Sequence, residues 1–315
     1  MRDAAMTAAR SVCLAAACTL PLAAPAAAQP LLDVRQELDF DRPESWAMKY
    51  VASVNLFTGL GVPRAVEPGE VELGFEAAWV PTLSDEEATV GFNGTKREEI
   101  NRTSIFGRVR LSVGLPGDLT LDLSYLPPLA DIDGVEPDLL ALGVERPVVQ
   151  TRRTRAGLRL TLQRGSLEGD ITCPAAEAAA GDDPVANPFR CEAPSRDEMT
   201  LRTASLEAGL AFLGAGRWEP HVALAAHFLD LEFAVDARHS GILDRTVELT
   251  DGWTWSAAAG VGTDLSQRLR LTGEIFYTPL EVVRPPATTS RNDELLHARV
   301  LLTWRLRGAG RGGAP

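Results

Sequence analysis

The stretch that decides the fold lies at residues 104–125 and reads SIFGRVRLSVGLPGDLTLDLSY. Apolar and polar side chains alternate on both sides of a short polar turn, Leu115–Asp118. Alternation with a period of two predicts β-strands, because successive side chains of a strand point to opposite faces. Two such runs joined by a tight turn predict an antiparallel hairpin.

Three further short turns are predicted along the chain, at Gln163–Ser166, Gly214–Arg217 and Asp264–Gln267. The first residues of the four turns are 48, 51 and 50 positions apart. Longer, polar, proline-rich stretches separate successive turns. Short turns at one end and long loops at the other, repeated, are typical of a transmembrane β-barrel.

The first 28 residues have the features of a secretory signal peptide. Arg2 and Arg10 supply the positive region, Ser11–Leu22 is a short apolar stretch, and Ala26–Ala28 fits a cleavage site. A lipoprotein signal ending at Cys18 is the alternative. No run of 18 apolar residues follows the signal, so any crossing of a membrane must use strands closed into a barrel.

The composition is acidic, with 43 acidic and 31 basic residues and a formal net charge of −12. This balance argues against nucleic-acid binding, which needs basic patches. Much of the acid falls in predicted loops and forms a solvated surface. Bridging by divalent cations to lipopolysaccharide phosphates is the alternative. These acidic groups are Asp85–Glu87, Glu98–Glu99, Asp182–Asp183 and Asp197–Glu198.

Two cysteines, Cys173 and Cys191, remain after the signal, and both lie in one predicted loop. An exported chain meets an oxidising compartment, so a disulfide between them is expected. A metal or redox pair is the weaker alternative, since the spacing matches no usual ligand pattern.

An amphipathic helix is predicted at Pro43–Thr58, with Asp41 as its N-cap. Trp46, Tyr50 and Val54 lie on its apolar face, and such a face must pack against something. We expect it inside or beneath the barrel at the periplasmic end, as a plug. A strand at 49–57 is the alternative.

The alternation predicts ten barrel strands and five long loops. An even number agrees with bacterial barrels, whereas counting 49–57 as a strand gives eleven, and a twelve-strand version needs a further strand near 31–40. The domains are a signal peptide at 1–28, a periplasmic segment with a helix at 29–68, a barrel at 69–307 and a tail at 308–315. The predicted strands are 70–80, 104–114, 119–125, 156–162, 167–171, 204–212, 222–228, 253–261, 269–277 and 296–306. The predicted loops are 81–102, 128–151, 173–198, 232–249 and 279–292.

Aromatic residues on the apolar face fall into two groups. Two belts of amphipathic rings are typical of the two interfaces of a membrane. They favour a membrane barrel over a soluble β-sandwich. Toward the long loops lie Trp79, Tyr125, Trp253, Trp255 and Tyr277, and toward the short turns lie Phe212, Trp218 and Trp304.

The opposite face carries charges whose signs alternate across the first five strands, and later strands add further charges, among them Glu207. A narrow lumen requires such charges to be paired, so the first interpretation is an ion-pair network that stiffens the barrel. The second is a constricted pore whose arginines attract small anions, with Arg268, Arg270, Arg299 and Arg305 as an uncompensated basic wall. The predicted lumen-facing charges are Glu70, Glu72, Glu76, Arg108, Arg110, Asp118, Asp122, Arg155, Arg159, Glu168, Asp170, Arg268, Arg270, Glu274, Arg299 and Arg305.

Catalytic patterns are weak. His239 lies near Asp236, Ser240 and Asp244 in a predicted loop, an arrangement that is common by chance, and His221 falls at the turn end. No phosphate-binding glycine loop, zinc spacing or nucleophile elbow is present. We expect no enzyme activity, no metal and no cofactor.

The signal, the hairpin period and the aromatic belts make residues 69–307 resemble a Gram-negative outer-membrane β-barrel. The strand 296–306 resembles the C-terminal signal read by the barrel-assembly machinery, although its last apolar residue is Leu306 and a tail follows. The resemblance implies a place in the cell outer membrane, with membrane lipid, lipopolysaccharide and the assembly machinery as partners. It implies a narrow channel for small solutes or, alternatively, a structural or surface-binding barrel with a closed, ion-paired interior.

Overall fold

A computed structural model describes residues 30–128, 134–214 and 216–306. The predicted signal peptide and C-terminal tail lie outside these residues. Ten long strands pair in sequence, and the last pairs with the first, so the antiparallel sheet closes into a barrel. This confirms the predicted fold class and strand number. The strands are β1 (Val71–Trp79), β2 (Ile105–Leu115), β3 (Leu119–Leu126), β4 (Val135–Gln150), β5 (Thr154–Gly169), β6 (Asp197–Phe212), β7 (Trp218–Ala234), β8 (Val247–Asp264), β9 (Leu269–Thr278) and β10 (Leu295–Leu306).

The connections differ at the two ends of the barrel. At one end, the turn end, strands are joined by residues 116–118, 151–153, 213–217 and 265–268. At the other, the loop end, they are joined by 80–104, 127–134, 170–196, 235–246 and 279–294.

Two errors in the sequence-based assignment cancel in the strand count. Gln163–Ser166 is not a turn: it lies within β5, where it pairs with both β4 and β6. The predicted strands 156–162 and 167–171 are therefore one strand. The stretch 135–150, predicted to belong to a long loop, is β4.

The sequence hides β4 because both of its faces are apolar. Leu139 and Ala141 point into the lumen, while Leu140 and Leu142 point outward. It also contains Pro137 and Pro147, and proline cannot donate a hydrogen bond to a neighbouring strand. Both prolines lie outside residues 139–145, the part of β4 that pairs with β3.

The outer face of the barrel is apolar. Ile105, Leu224 and Trp253 are 64%, 63% and 70% exposed, as expected of side chains that meet lipid. The predicted aromatic residues lie on this face. Strands β4–β8 have 16 to 18 residues, whereas about 9–11 suffice to span a bilayer. Exposed charges toward the loop end, at Arg202 and Asp230, show where the longer strands leave the apolar band.

The predicted N-terminal helix is present as α1 (Pro43–Val54), with Pro43 in its first turn, but it ends four residues before the predicted end at Thr58. Its N-cap is Arg42 rather than Asp41, and no side chain caps it. Its position was predicted wrongly, because it lies at the loop end. There Lys49 Nζ donates to Glu281 O at 2.7 Å, and Tyr50 OH donates to Pro81 O at 3.2 Å. No helix among the described residues is long and apolar enough to cross a membrane.

Short elements at the loop end hold the first described residues there. Leu31–Leu32 pairs with Ile242–Asp244, and Arg35–Glu37 pairs with the start of β8. These pairings explain why α1 lies at the loop end. The remaining short elements are strands Thr89–Val90, Lys96–Arg97, Cys191–Ala193, Ala237–His239, Glu281–Val282 and Arg291–Asn292, and helices Asp85–Ala88, Gly91–Gly94 and Ala175–Ala179.

The loop 170–196 contains the predicted disulfide. Cys173 and Cys191 are joined by an S–S bond and are almost fully buried. The bond fixes the strand Cys191–Ala193 to the beginning of the same loop. The disulfide prediction is therefore confirmed.

Candidate functional site

Residues 55–67, which we call the plug, pass through the lumen from α1 at the loop end to β1 at the turn end. Near the loop end, Arg108 Nη2 and Gln163 Nε2 donate to Asn55 O at 3.0 and 2.9 Å. Gln163 Oε1 accepts from Phe57 N at 2.9 Å. Side chains of the wall thus satisfy the backbone of the plug, which buried polar groups require.

Deeper in the lumen the same kind of contact recurs. Arg110 Nη1 donates to Thr58 O at 2.8 Å. Gly59 N donates to Glu207 Oε2 at 2.9 Å, and Arg299 Nη2 donates to Gly59 O at 3.3 Å. The wall therefore holds the plug through its backbone.

Glycines of the wall provide space for the plug. A Cβ built on Gly114 lies 2.2 Å from Glu67 O, and one on Gly157 lies 2.6 Å from Pro63 Cβ. Side chains at either position would overlap the plug. Glycine, which has no Cβ, allows this close approach of two backbones.

Opposite charges face each other across neighbouring strands in the middle of the lumen. Glu76 of β1 faces Arg108 of β2 in register, and Arg110 Nε donates to its carboxylate at 2.7 Å. Arg159 of β5 faces Glu145 of β4 and Glu207 of β6, and it is hydrogen-bonded to both. All six side chains of these two groups are buried.

Charges nearer the turn end are also compensated. Glu219 accepts from Arg155 at 2.8 Å and from Arg270. Glu72 pairs with Arg64 of the plug and with Arg305. The plug therefore joins the ion-pair network as well as filling the lumen.

The predicted uncompensated basic wall is wrong. Arg299 faces Glu274 in register and donates to it, Arg270 pairs with Glu219, and Arg305 pairs with Glu72. Arg268 lies on the exposed turn. Each of the three lumen-side arginines thus has a carboxylate partner.

Most of the predicted lumen charges lie inside, but several do not. Glu168 is exposed on the outer face, because β5 is continuous and its alternation is not reset by a turn. Asp118 lies on the exposed turn between β2 and β3, and Asp170 lies past the end of β5, where it pairs with Arg102. Glu70 is half-buried at the turn end beside Arg305. The buried ones are Glu72, Glu76, Arg108, Arg110, Asp122, Arg155, Arg159, Glu274 and Arg299.

Sequence reasoning missed four members of the network: Arg64, Glu145, Gln163 and Glu219. Glu145 is on β4, and Gln163 was placed in a turn. A signal for Glu145 exists, because Gly143 and Glu145, inward positions in the turn-end half of β4, are small or polar. Arg64 belongs to a stretch without periodicity, and no pattern marks it.

Histidines occupy two kinds of position. His227 is fully buried in the wall, and its Nδ1 and Nε2 lie 2.7 and 2.8 Å from the hydroxyls of Ser205 and Ser256. In the loops, His239 Nε2 lies 3.4 Å from Asp244 Oδ2. Among the described residues, no group of three or more potential ligands is arranged to hold a metal ion.

A cavity of about 340 Å³, the mouth cavity, lies at the loop end between α1 and the long loops. Its apolar lining includes Met48, Val51, Ile100, Met199 and Phe233. Its charged lining consists of four carboxylates and one guanidinium, namely Glu44, Glu98, Asp244, Glu248 and Arg42.

Burial changes the acidity of two groups near this cavity. Lys96 Nζ donates to Glu98 at 2.7 Å, yet burial of Glu98 is the larger effect and raises its pKa to about 8. Burial likewise lowers the pKa of Lys49 on α1 to about 8. The mouth is thus a partly desolvated region in which charges are costly unless paired.

No protein-family model matches this sequence, and no characterised protein matches it at the sequence level. Solved barrels are similar in architecture. The outer membrane protease OmpT from Escherichia coli is 8% identical, with coverage of 76% of this chain and 94% of that chain and a TM-score of 0.36. The outer membrane protein OprG from Pseudomonas aeruginosa is 9% identical, with coverage of 79% of this chain and 100% of that chain and a TM-score of 0.33. The toluene transporter TodX from Pseudomonas putida is 13% identical, with coverage of 88% of this chain and 78% of that chain and a TM-score of 0.33.

Scores and identities this low do not assign the chain to the family or the activity of any of these proteins. The closed barrel, its apolar outer face and its aromatic residues at both ends define the class as a ten-stranded β-barrel of the transmembrane type.

Proposed function

We propose that this protein is an outer-membrane channel for small solutes whose lumen is closed by the plug. The main observation behind this proposal is that one chain segment, the plug, is held by side chains of the barrel wall and fills the space beside the wall glycines. A barrel that closed itself would place large side chains there instead. Displacing the plug leaves a passage lined by charged groups, which suits small polar solutes.

The expected signal peptide, the apolar outer face and the aromatic belts support a location in the outer membrane. Short turns of such barrels are periplasmic, so the loop end faces the outside of the cell. The mouth cavity and the first described residues then lie on the outer side.

This orientation predicts the accessibility of epitope tags on intact cells. Gly241 lies in the loop 235–246 with open space around it, and Gly117 lies in a turn with open space around it. A tag inserted at Gly241 should bind antibody on intact cells, whereas a tag at Gly117 should bind only after permeabilisation. The opposite pattern would mean that the barrel is inverted.

A disulfide between the plug and the wall tests the channel. A Cβ built on Gly209 of β6 lies 3.6 Å from Val62 Cβ, within the range of about 3.5–4.5 Å found in disulfides. In planar bilayers under applied voltage, the full chain should show discrete current steps. Oxidised Val62→Cys/Gly209→Cys should show none, because its plug cannot leave, and reductant should restore them.

The single variant Gly209→Cys and the parent chain are the matched controls, since reductant also reaches the native disulfide. Their currents should not depend on oxidation. Steps that persist in the oxidised double variant would show that current does not pass through the lumen.

The alternative, a structural barrel without transport, is supported by the full compensation of the lumen arginines. It predicts no current steps from the parent chain and none from the double variant in either redox state. The same recordings therefore separate the two functions.

A further inference from the structure

The four carboxylates that line the mouth cavity have unequal partners. Glu44 accepts from Arg42 at 3.3 Å and from Asn93 N. Asp244 accepts from His239 at 3.4 Å and from Thr246 N at 2.9 Å. The third, Glu98, accepts a hydrogen bond from the ammonium group of Lys96 at 2.7 Å.

Glu248 differs from these three. Its hydrogen-bond partner is Gln36 Nε2 at 3.1 Å, which is a neutral amide. It also interacts electrostatically with Glu44 and Asp244, which repel it, and with Arg42, which attracts it. A partly buried carboxylate beside two others is electrostatically unfavourable, and a cation in the cavity would relieve this.

The rest of the cavity lining determines the polarity and the size of such a cation. Apolar side chains from α1, β6, β7 and the segments at the loop end form most of the lining, so the body of the ligand must be apolar. The volume of about 340 Å³ is at the small end for ligand sites, which limits the ligand to a small molecule.

We propose that the mouth cavity binds a small amphipathic cation, with its apolar body against Val51 and Phe233 and its ammonium or amidinium group at Glu248. Charge complementarity selects this ligand over a neutral or anionic one. The acidic outer loops add to this selection, because a field of one sign concentrates counter-ions at the surface. Binding does not require the plug to move, so it is independent of the channel proposal.

Binding of three probes of the same shape tests the proposal. Phenylpropylammonium, phenylpropanol and phenylpropionate are titrated calorimetrically against the full chain in nanodiscs of zwitterionic lipid at about pH 8.5, where the carboxylate of Glu248 is ionised. The ammonium ion should bind about tenfold more tightly than the alcohol, as expected for a charge-assisted hydrogen bond. The carboxylate should bind most weakly.

Glu248→Gln should remove the preference for the ammonium ion and leave the affinity for the alcohol unchanged, which also shows that the cavity is intact. Asp251→Asn is the matched control, because Asp251 is exposed on the same strand and does not line the cavity. Val51→Phe should fill the cavity and abolish binding of all three probes.

Several results would overturn the proposal. Equal affinities for the ammonium ion and the alcohol, or no binding of any probe, would show that the cavity does not select amphipathic cations. A preference that survives Glu248→Gln, or binding that survives Val51→Phe, would place the ligand elsewhere.

Discussion

We expect Arg159→Ala to lower the free energy of unfolding by about 3–5 kcal/mol, the usual cost of leaving buried charges without their partner. Arg159 is 6% exposed and is hydrogen-bonded to Glu145 and Glu207. Its removal leaves two buried carboxylates on neighbouring strands without this cation. Because a Cβ on Gly59 would overlap the guanidinium, its loss also removes packing against the plug. Denaturant titration of the barrel in detergent measures the change.

The matched control is Arg202→Ala, on the adjacent strand β6. Arg202 is paired with Asp230 at 3.1 Å, but the two side chains are 56% and 42% exposed. Surface pairs of this kind contribute about 0–1 kcal/mol. Adding Glu145→Gln to Arg159→Ala should recover part of the loss by removing one unpaired charge. Similar, small effects of Arg159→Ala and Arg202→Ala would mean that the lumen is hydrated and that its charges are separately solvated.

The barrel could be predicted because a lipid-facing wall imposes a strict pattern. Wherever one face of a strand is apolar and the other polar, as in residues 105–115, alternation identifies both the strand and its inward face. The same rule placed Glu76, Arg159 and Glu274 in the lumen correctly, and their partners face them on adjacent strands. It failed in β4, where inward-facing Leu139 and Ala141 are apolar too, since they pack at the loop end of the lumen.

The plug was not predicted, because its first four residues, 55–58, were assigned to the helix and the rest of its sequence is not periodic. Residues 55–67 read NLFTGLGVPRAVE. Their principal contacts with the wall use backbone atoms, and backbone contacts impose no pattern on the side chains. The helix before it was recognised from its own amphipathicity. Its location was not, because that depends on strand pairings of residues 31–37 with loop segments distant in sequence. The mouth cavity is likewise formed by segments from five regions of the chain.

Removal of residues 30–67 should convert the closed barrel into an open pore. An internal deletion of the plug alone would fail, since residues 30–42 are held at the loop end and β1 starts at the turn end. The whole segment must therefore be removed, with Gln29, the first residue after the predicted signal peptide, joined directly to Pro68. The ten strands remain, and water can solvate Arg108, Arg110 and Arg299 where the plug backbone has left them.

This variant should show continuous, voltage-independent current in planar bilayers and should admit small dyes into cells. The parent chain should instead show discrete current steps under applied voltage. Its lumen retains Glu76, Glu145 and Glu207 beside their arginines, so the current should have only weak ion selectivity. An assembled barrel without current would mean that wall side chains, and not the plug, close the lumen. Failure to assemble would assign the segment a role in barrel closure, because Arg64 of the plug bonds Glu72 of β1 next to the seam where β1 meets β10.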